Sequence, residues 1–237
     1  MATILEVTNL RKCFNLHILN DKKIEALIDV NFSMEEGEIV GLTGKSGSGK
    51  STLMKTIYRT YLASSGEMNY LSKTFGKINL VEADEHQILQ LRRKEITYCS
   101  QFLKVIPRVT AIDVVADTIV KKESDRPLAR EISTDLIKTL GLPPELWDAF
   151  PSTFSGGEQQ RINIARAIIA KPRFLLVDEP TASLDTKTKD IVIELILGLK
   201  KNGTSVLLIT HDEYTLQRLS DKTIHLQHGQ ILEQVFA

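Results

Sequence analysis

Residues 44–51 have the sequence Gly44-Lys45-Ser46-Gly47-Ser48-Gly49-Lys50-Ser51. It fits the phosphate-loop pattern, in which two glycines separated by four residues are followed by Lys and then Ser or Thr. An apolar run at residues 39–43 precedes the loop and is typical of a buried strand. Apolar residues at helical spacing follow it in residues 52–58. A strand, a glycine-rich loop and a helix in this order are the context in which the pattern binds phosphate.

The residue types in this loop explain why it should bind a polyphosphate. Glycines allow backbone N–H groups to close around the phosphates, and the N-terminus of the following helix adds a partial positive charge. Lys50 is expected to reach the β- and γ-phosphates, and the Ser51 hydroxyl is expected to ligate Mg²⁺. The alternative, a flexible Gly/Ser turn, does not account for the strand and the helix on either side. The loop therefore predicts a site for a nucleoside triphosphate.

A second group of functional residues ends the apolar run Phe174-Leu175-Leu176-Val177-Asp178-Glu179. The carboxyl end of a buried strand is where an open α/β sheet binds its ligand. Asp178 is expected to hold Mg²⁺, directly or through water, opposite Ser51. Glu179 is expected to polarise the water that attacks the γ-phosphate. Taken alone, the same stretch is also compatible with a strand that simply ends in solvent.

A third motif is Ser155-Gly156-Gly157-Glu158-Gln159. Ser155 can cap a helix, and the two glycines behind it leave N–H groups open at the helix start, which is typical of an anion site. Because one nucleotide needs only one such cradle, we expect this second one to serve another molecule's phosphate. A plain Ser-capped helix explains Ser155 but not the paired glycines.

The rest of the chain alternates strands and helices, which favours a mostly parallel sheet with helices on both faces. Residues 23–34 alternate with a period of two and predict a strand half-buried in an antiparallel sheet. Together with short strands near residues 4–10, 67–70 and 77–80, it predicts a small antiparallel lobe. Residues 107–150 are helical in character and contain no convincing strand. One face of the long strand is expected to carry Ile24, Ala26, Ile28, Val30, Phe32 and Met34.

Composition excludes several classes of protein. The chain has 237 residues and a net charge of zero, so charge gives no argument for a nucleic-acid partner. No apolar run reaches the roughly 20 residues of a membrane-spanning helix. The N-terminus lacks the basic start and apolar core of a signal peptide. Cys13 and Cys99 are far apart and have no metal-type spacing. These features predict a cytoplasmic protein.

Five motifs occur in the order found in ABC-type ATPases, and the chain resembles that family over nearly its whole length. The resemblance implies an α/β fold of the P-loop NTPase, ABC type, with a mostly parallel core, an antiparallel lobe and a helical insert. It implies one domain over 1–237, with the nucleotide-binding core at 1–100 and 151–237 and the helical subdomain at 101–150. The motifs are the phosphate loop, Gln101, Ser155 to Gln159, Asp178-Glu179, and Ser183-Leu184-Asp185 followed by His211.

The resemblance also implies Mg²⁺-dependent ATP hydrolysis between two ATPase domains that face head to tail. ATP then lies between the phosphate loop of one partner and the Ser-Gly-Gly signature of the other. Catalytic roles fall on Glu179, His211 and Gln101, and the metal ligands are Ser51, Gln101 and Asp178. Phe14 stands where an aromatic ring stacks on adenine, and Asp185 belongs to the loop that couples the two sites. The residues expected to contact nucleotide are Phe14, Gly44, Ser46, Gly47, Ser48, Gly49, Lys50, Ser51, Thr52, Ser155, Gly156, Gly157, Glu158 and Asp185.

A closer resemblance concerns the partner. Residues 100–109, after Gln101, are similar to the PhnL family, the ABC-type subunits of the carbon–phosphorus lyase system for phosphonate breakdown. This implies a soluble lyase core complex as partner and a part in synthesis of ribose 1-methylphosphonate 5-triphosphate. The alternatives are the motor of a membrane transporter of the lipoprotein-release or macrolide-export type, and a slow ATP-gated clamp. The segment expected to meet the partner comprises Phe102, Leu103, Lys104, Val105, Ile106 and Arg108.

Overall fold

Two β-sheets form the framework of the molecule. The computed structural model of the chain describes residues 2–16, 22–104, 107–121 and 125–236. Val105 and Ile106, two of the predicted partner-facing residues, lie outside the described residues. The larger sheet has six strands and the smaller has four.

The six-stranded sheet carries the predicted nucleotide core. Its strands are β3 (Ile39–Thr43), β6 (Ile96–Cys99), β7 (Phe174–Asp178), β8 (Ser205–Ile209), β9 (Lys222–Gln227) and β10 (Gln230–Phe236). They lie in the order β10-β9-β3-β8-β7-β6, and all neighbours are parallel except the β9–β10 hairpin. Every residue of β7 and β8 is buried. Continuous burial on both faces is characteristic of parallel sheets covered on each side.

Alternate side chains of the central strands feed two separate cores. Val206 and Leu208 of β8 pack into one apolar cluster, and Leu207 and Ile209 pack into the other. This follows from the period of two along a strand, which sends successive side chains to opposite faces. The prediction of a mostly parallel sheet with helices on both faces is confirmed.

The four-stranded sheet is the predicted antiparallel lobe. It consists of β1 (Thr3–Leu16), β2 (Lys22–Glu35), β4 (Ser65–Ser72) and β5 (Gly76–Asn79), in the order β2-β1-β4-β5. All of its pairings are antiparallel. Its apolar side chains, such as Leu5 and Met34, share a core with Leu207 and Ile209 of the larger sheet. The lobe is thus packed directly on the nucleotide core.

The predicted buried face of β2 is wrong in its first half. Val30, Phe32 and Met34 are buried as expected, but Leu27 is buried in place of Ile28, and Ile24 is 42% exposed. The pairing with β1 advances three residues on β2, from Leu27 to Val30, for two on β1. A bulge of this kind inserts one extra residue and sends the side chains beyond it to the other face, which accounts for the burial of Leu27. A second shift, from Leu27 to Glu25 on β2 for Lys12 to Cys13 on β1, reverses the change, so the bulges do not explain the exposure of Ile24 near the start of β2.

Helices cover the sheets and, in the insert, pack on one another. Their bounds are α1 (Lys50–Ile57), α2 (Glu85–Lys94), α3 (Ala111–Ala116), α4 (Arg126–Thr139), α5 (Gly156–Ile169), α6 (Thr186–Lys201) and α7 (Glu213–Leu219). The described residues of 101–150 contain α3, α4 and a short 3-10 turn at Pro144–Leu146, and no strand. Both α3 and α4 pack against α5. In the described part of the chain, no helix is long and apolar enough to cross a membrane.

Single residues in the insert set where its helices begin and end. The sequence predicts that Thr110 caps a helix that continues to Ile119. The Thr110 hydroxyl does cap α3 by accepting from the N–H of Asp113, but α3 ends at Ala116, so the expected continuation to Ile119 is wrong. Pro127 occupies the first turn of α4. Gly141 follows α4 with a φ of 73°, a conformation that favours glycine after a helix.

Candidate nucleotide site

A cleft of about 860 Å³ opens at the carboxyl edge of the six-stranded sheet. Parallel neighbours such as β3, β7 and β8 end at this one edge, so the loops that follow them meet there. The predicted residues that line the cleft are Ser46, Gly47, Gly49, Lys50, Ser51, Thr52, Gln101, Asp178, Glu179 and His211. Motifs far apart in the sequence are therefore brought to one place.

The phosphate loop needs glycine at its two defining positions. Gly44 has a φ of 137°, and a Cβ atom there would lie 2.1 Å from the carbonyl oxygen of Leu226. Gly49 has a φ of 108°, and its Cβ atom would lie 2.7 Å from the carbonyl oxygen of Ala26. Gly47 also has a positive φ, of 79°, but open space surrounds it. The outer glycines let the loop pack against β2 and β9, while Gly47 leaves the cleft side open.

Lys50 is folded over the loop that it follows. Its Nζ atom donates to the carbonyl oxygen of Gly44 at 2.6 Å and to that of Lys45 at 3.0 Å. Burial lowers the pKa of this amine, and the negative charges of Glu179 and Asp178 act against that effect. The amine is held at the base of the cleft, where a phosphate group would replace carbonyl oxygens as its partner.

Asp178 is the last residue of β7 and is buried at the bottom of the cleft. Burial raises the pKa of its carboxyl group, and hydrogen bonding by the Ser51 and Tyr98 hydroxyls opposes the rise. The Tyr98 hydroxyl donates to Oδ2 of Asp178 at 3.4 Å. The carboxylate and the Ser51 hydroxyl are thus neighbours, as a shared metal ion requires.

Glu179 combines an unusual backbone with an unpaired carboxylate oxygen. Its φ is 53°, in the left-handed region that non-glycine residues seldom adopt. Its N–H donates to the carbonyl oxygen of Ile209 at 2.9 Å, which ties it to β8. Its Oε1 atom is buried without a hydrogen-bond partner in the described part of the chain and lies 3.6 Å from Nε2 of His211. Burial raises the pKa of Glu179, and His211 counteracts this.

The residues present fit a nucleotide with Mg²⁺. A buried polar atom without a partner needs an explanation, and Glu179 Oε1, on the cleft lining, is such an atom that a bound water or ligand could satisfy. Among the described residues, no three His, Cys, Asp or Glu side chains are grouped to hold a metal by themselves. Mg²⁺ commonly takes only one or two carboxylates and completes its shell with substrate phosphates and water. Ser51 and Asp178 are suited to that arrangement.

The cleft also contains residues that the motifs did not indicate. Lys189 lies on α6 and its Nζ pairs with Oδ1 of Asp212 at 3.2 Å. His228 and Gly229 form the β9–β10 turn, with φ values of 48° and 77°. The N–H of Gly229 donates to the carbonyl oxygen of Ser48 at 3.0 Å, so this turn is fastened to the phosphate loop. The lining residues missed from the sequence are Ile24, Glu25, Ala26, Ala182, Lys189, Ile209, Asp212, His228 and Gly229.

Phe14 does not line the cleft. Its ring packs edge-on against Tyr61, with centroids 5.2 Å apart, and Lys12 Nζ lies 4.7 Å above it. Phe14 pairs across the sheet with Ile24, which does line the cleft. Stacking of Phe14 on adenine stays a prediction.

The Ser-Gly-Gly signature lies outside the cleft of its own chain. Ser155 caps α5 through a reciprocal pair of bonds with Glu158, and Ser155 and Gly156 are exposed. Asp185 caps α6 by accepting from the N–H of Thr188 at 3.0 Å. Gly44 and Ser48 complete the set of predicted nucleotide contacts that do not line the cleft, since they lie on the inner side of the phosphate loop. The predicted capping of the helix by Ser155 is confirmed. The position of the signature outside the cleft agrees with the expectation that it binds a phosphate of another molecule.

The residues of the predicted partner-facing segment differ in their exposure to solvent. Phe102 is 75% exposed, whereas Leu103 is only 7% exposed and packs in the core. Lys104 and Arg108 are exposed. The expectation that Leu103 faces a partner is therefore wrong, because its side chain is needed to anchor the segment on the helical insert.

Comparison with known proteins identifies the family. Residues 27–182 match the sequence model of a protein family that is described as ABC transporter. The matched range includes the phosphate loop, Gln101, the signature and Asp178-Glu179. This chain belongs to the ABC transporter family. As a member of that family it is an ATPase domain, and membership implies the use of ATP and Mg²⁺.

Individual relatives support the assignment. The chain is 35% identical over 210 residues to the arginine transport ATP-binding protein ArtP of Haemophilus influenzae, covering 88% of this chain and 85% of ArtP. It is 32% identical over 235 residues to the lipoprotein-releasing system ATP-binding protein LolD of Aquifex aeolicus, covering 99% of each. A dimeric post-hydrolysis structure of the ATP-binding cassette MJ0796 bound to ADP and Pi has a TM-score of 0.87 and 28% identity, covering 98% of both chains. This ABC ATPase domain therefore has the predicted fold.

Proposed function

We propose that this chain is the ATP-hydrolysing motor of a membrane ABC transporter. The observation that carries the proposal is the buried Glu179 carboxylate, unpaired at Oε1, in the same cleft as Lys50, Asp178 and His211. Relatives named for arginine transport and for lipoprotein release support a transport partner. Because these relatives are named for different transported substrates, they support a role in transport but do not identify the substrate.

In the proposed reaction, each side chain of the cleft has a separate task. The phosphate loop and Lys50 bind the phosphates of ATP, and Ser51 and Asp178 hold Mg²⁺, with Gln101 at the cleft wall. Bound Mg²⁺ neutralises the charge that develops on the β- and γ-phosphate oxygens. Glu179 accepts a proton from the attacking water. The water oxygen then bonds to the γ-phosphorus, and the bond between the γ-phosphorus and the bridging oxygen of ADP breaks. His211 orients the carboxylate and contacts the γ-phosphate.

The active unit is proposed to contain two ATPase domains. The signature at Ser155, Gly156 and Gly157 lies outside the cleft of its own chain, so it is free to close the ATP site of a second domain. The dimeric structure of MJ0796 with ADP and Pi is consistent with such an arrangement. Asp185 stands on the loop between the two sites. The second domain is either a copy of this chain or a related ATPase.

A second candidate function retains the resemblance of residues 100–109 to the carbon–phosphorus lyase subunits. The strongly exposed Phe102, flanked by Lys104 and Arg108, is the observation that favours a specific protein partner for this segment. Under this hypothesis the partner is the soluble lyase core complex, and ATP hydrolysis assists synthesis of ribose 1-methylphosphonate 5-triphosphate. The names of the relatives favour the transporter motor over this alternative.

Affinity purification of the tagged chain from detergent-solubilised cells distinguishes the two. The transporter hypothesis predicts recovery of an integral membrane permease that stimulates ATP hydrolysis when both are reconstituted in vesicles. Recovery of the soluble lyase core without a permease would contradict it and support the second candidate. Lys104→Glu combined with Arg108→Glu should abolish recovery of the partner while ATP binding stays unchanged. Lys171→Glu with Lys201→Glu, two exposed lysines away from this segment, is the charge-matched control.

A further inference from the structure

The first turns of α5 touch the loop after β7 at three points. A Cβ atom at Gly157 would lie 2.9 Å from the carbonyl oxygen of Ser183, so the two backbones are in close contact. Gln160 Nε2 donates to the carbonyl oxygen of Glu179 at 3.0 Å. Arg161 Nη2 lies 3.3 Å from Oδ2 of Asp185. The helix that begins with the signature is therefore joined to the segment that begins with the proposed base.

The contact made by Gln160 bears on a cleft residue with an unusual backbone conformation, Glu179. Glu179 has a φ of 53°, which a residue with a Cβ atom keeps only when its surroundings hold it there. Its N–H is held by Ile209, and its carbonyl oxygen by Gln160. Gln160 itself is only 5% exposed, so its amide is fixed by packing and has little freedom to leave. The two bonds together fix the direction in which the Glu179 carboxylate enters the cleft.

We propose that Gln160 is a positioning residue that couples the signature of this chain to the Glu179 base of the same chain. This inference rests on the proposed function, in which the signature closes over the ATP of a second domain. Ser155 and Gln160 are separated by about one and a half helical turns, roughly 7.5 Å along one rigid helix. A movement of the α5 N-terminus on ATP binding at one site is transmitted through Gln160 to the base at the other.

Gln160→Met tests the inference because it keeps the length of the side chain and removes the donor. The measurements are kcat and KM of basal hydrolysis, ATP affinity with a fluorescent analogue, and the melting temperature. Thr204→Val is the matched control, since the buried Thr204 hydroxyl donates to the carbonyl oxygen of Pro172 at 2.7 Å, at the amino end of β8 and away from the cleft. Both variants leave one buried carbonyl oxygen without its donor.

We expect Gln160→Met to lower kcat about tenfold or more while ATP affinity stays within about twofold of wild type. Thr204→Val should lower the melting temperature by about as much as Gln160→Met does, but it should leave kcat unchanged. A kcat for Gln160→Met within twofold of wild type, or an equal loss of kcat in both variants, overturns the inference. These assays use the domain without a membrane partner, so an error about the transport partner leaves their outcome unaffected. A parallel assay of Glu179→Gln shows separately whether Glu179 is the base.

Discussion

The Nε2 atom of His211 lies 3.6 Å from Oε1 of Glu179, across the gap between the ends of two neighbouring strands. Glu179 directly follows β7, and His211 comes two residues after the end of β8. The parallel pairing of β7 and β8 ends both strands at one edge and so brings the two side chains together. The imidazole is therefore the ion-pair partner of a buried carboxylate oxygen that makes no hydrogen bond to the described residues.

The buried charge of Glu179 should make the protein without nucleotide less stable. Burial raises its pKa, so the ionised carboxylate is disfavoured in the folded chain at any pH above that raised pKa. The penalty disappears below the pKa of a glutamate in the unfolded chain, about 4.3. Glu179→Gln should therefore raise the melting temperature at pH 7 to 8, by about 2–4 °C for each kcal/mol relieved. The gain should shrink as the pH falls toward 4.

The control for this prediction is Glu145→Gln, which neutralises an exposed carboxylate. It should leave the melting temperature unchanged at each pH. A Glu179→Gln protein that melts below wild type at pH 7.5 would show that the carboxylate stabilises the fold, contrary to the prediction.

Gly44 and Gly47 separate the two reasons for glycine in the phosphate loop. Alanine at either position must adopt a positive φ that residues with a side chain rarely adopt, at a cost of roughly 1–3 kcal/mol. At Gly44 the added methyl group would also overlap the carbonyl oxygen of Leu226, whereas at Gly47 it meets open space. Differential scanning calorimetry should show a clearly larger loss of melting temperature for Gly44→Ala than for Gly47→Ala. Equal losses would mean that the contact between the loop and β9 is not tight.

Lys50→Ala should weaken ATP binding itself. A hydrogen bond to a charged group contributes about 1.5–3 kcal/mol, which corresponds to a roughly 10- to 150-fold rise in Kd. Lys222 is a matched control, because it is also a buried lysine whose Nζ donates to a carbonyl oxygen, that of Ser33, at 2.6 Å. Isothermal titration with ATP and Mg²⁺ should show Lys222→Ala binding within about twofold of wild type. Similar weakening by both variants would point to a general loss of structure.

Local patterns were sufficient to predict the phosphate loop and the strands that hold it. The loop has a fixed spacing, and β7 and β8 are short continuous apolar runs, so each signal lies within a few residues. The same holds for the caps at Ser155 and Thr110, because a cap and its partner are three residues apart.

Features that depend on contacts between distant segments could not be predicted. The bulge in β2 comes from its pairing with β1 and leaves no simple mark in the alternation of apolar residues. The sequence His228-Gly229 is typical of a turn, but the place of this turn in the cleft depends on a hydrogen bond from the N–H of Gly229 to the carbonyl oxygen of Ser48. Gln160 looks like an ordinary polar residue of a helix until the fold brings it to Glu179.

This chain is expected to form a dimer when ATP is bound. Because the signature lies outside the cleft of its own chain, two copies are needed to enclose two nucleotides. Light scattering on Glu179→Gln with ATP and Mg²⁺ should report a dimer, and omission of ATP should return the monomer. Gly156→Ala meets no atom within 4 Å in the chain, so it should leave the monomer folded and impair only the dimer. A strict monomer well above the ATP affinity would favour a related ATPase as the second domain.

Steady-state turnover by Glu179→Gln shows whether this cleft hydrolyses ATP with Glu179 as the base. Positioned acid–base groups contribute about 10²–10⁴-fold to rate, so steady-state hydrolysis should fall by that factor. ATP affinity measured on the same protein should stay close to that of wild type. Hydrolysis within a few-fold of wild type, with ATP binding intact, would contradict the account.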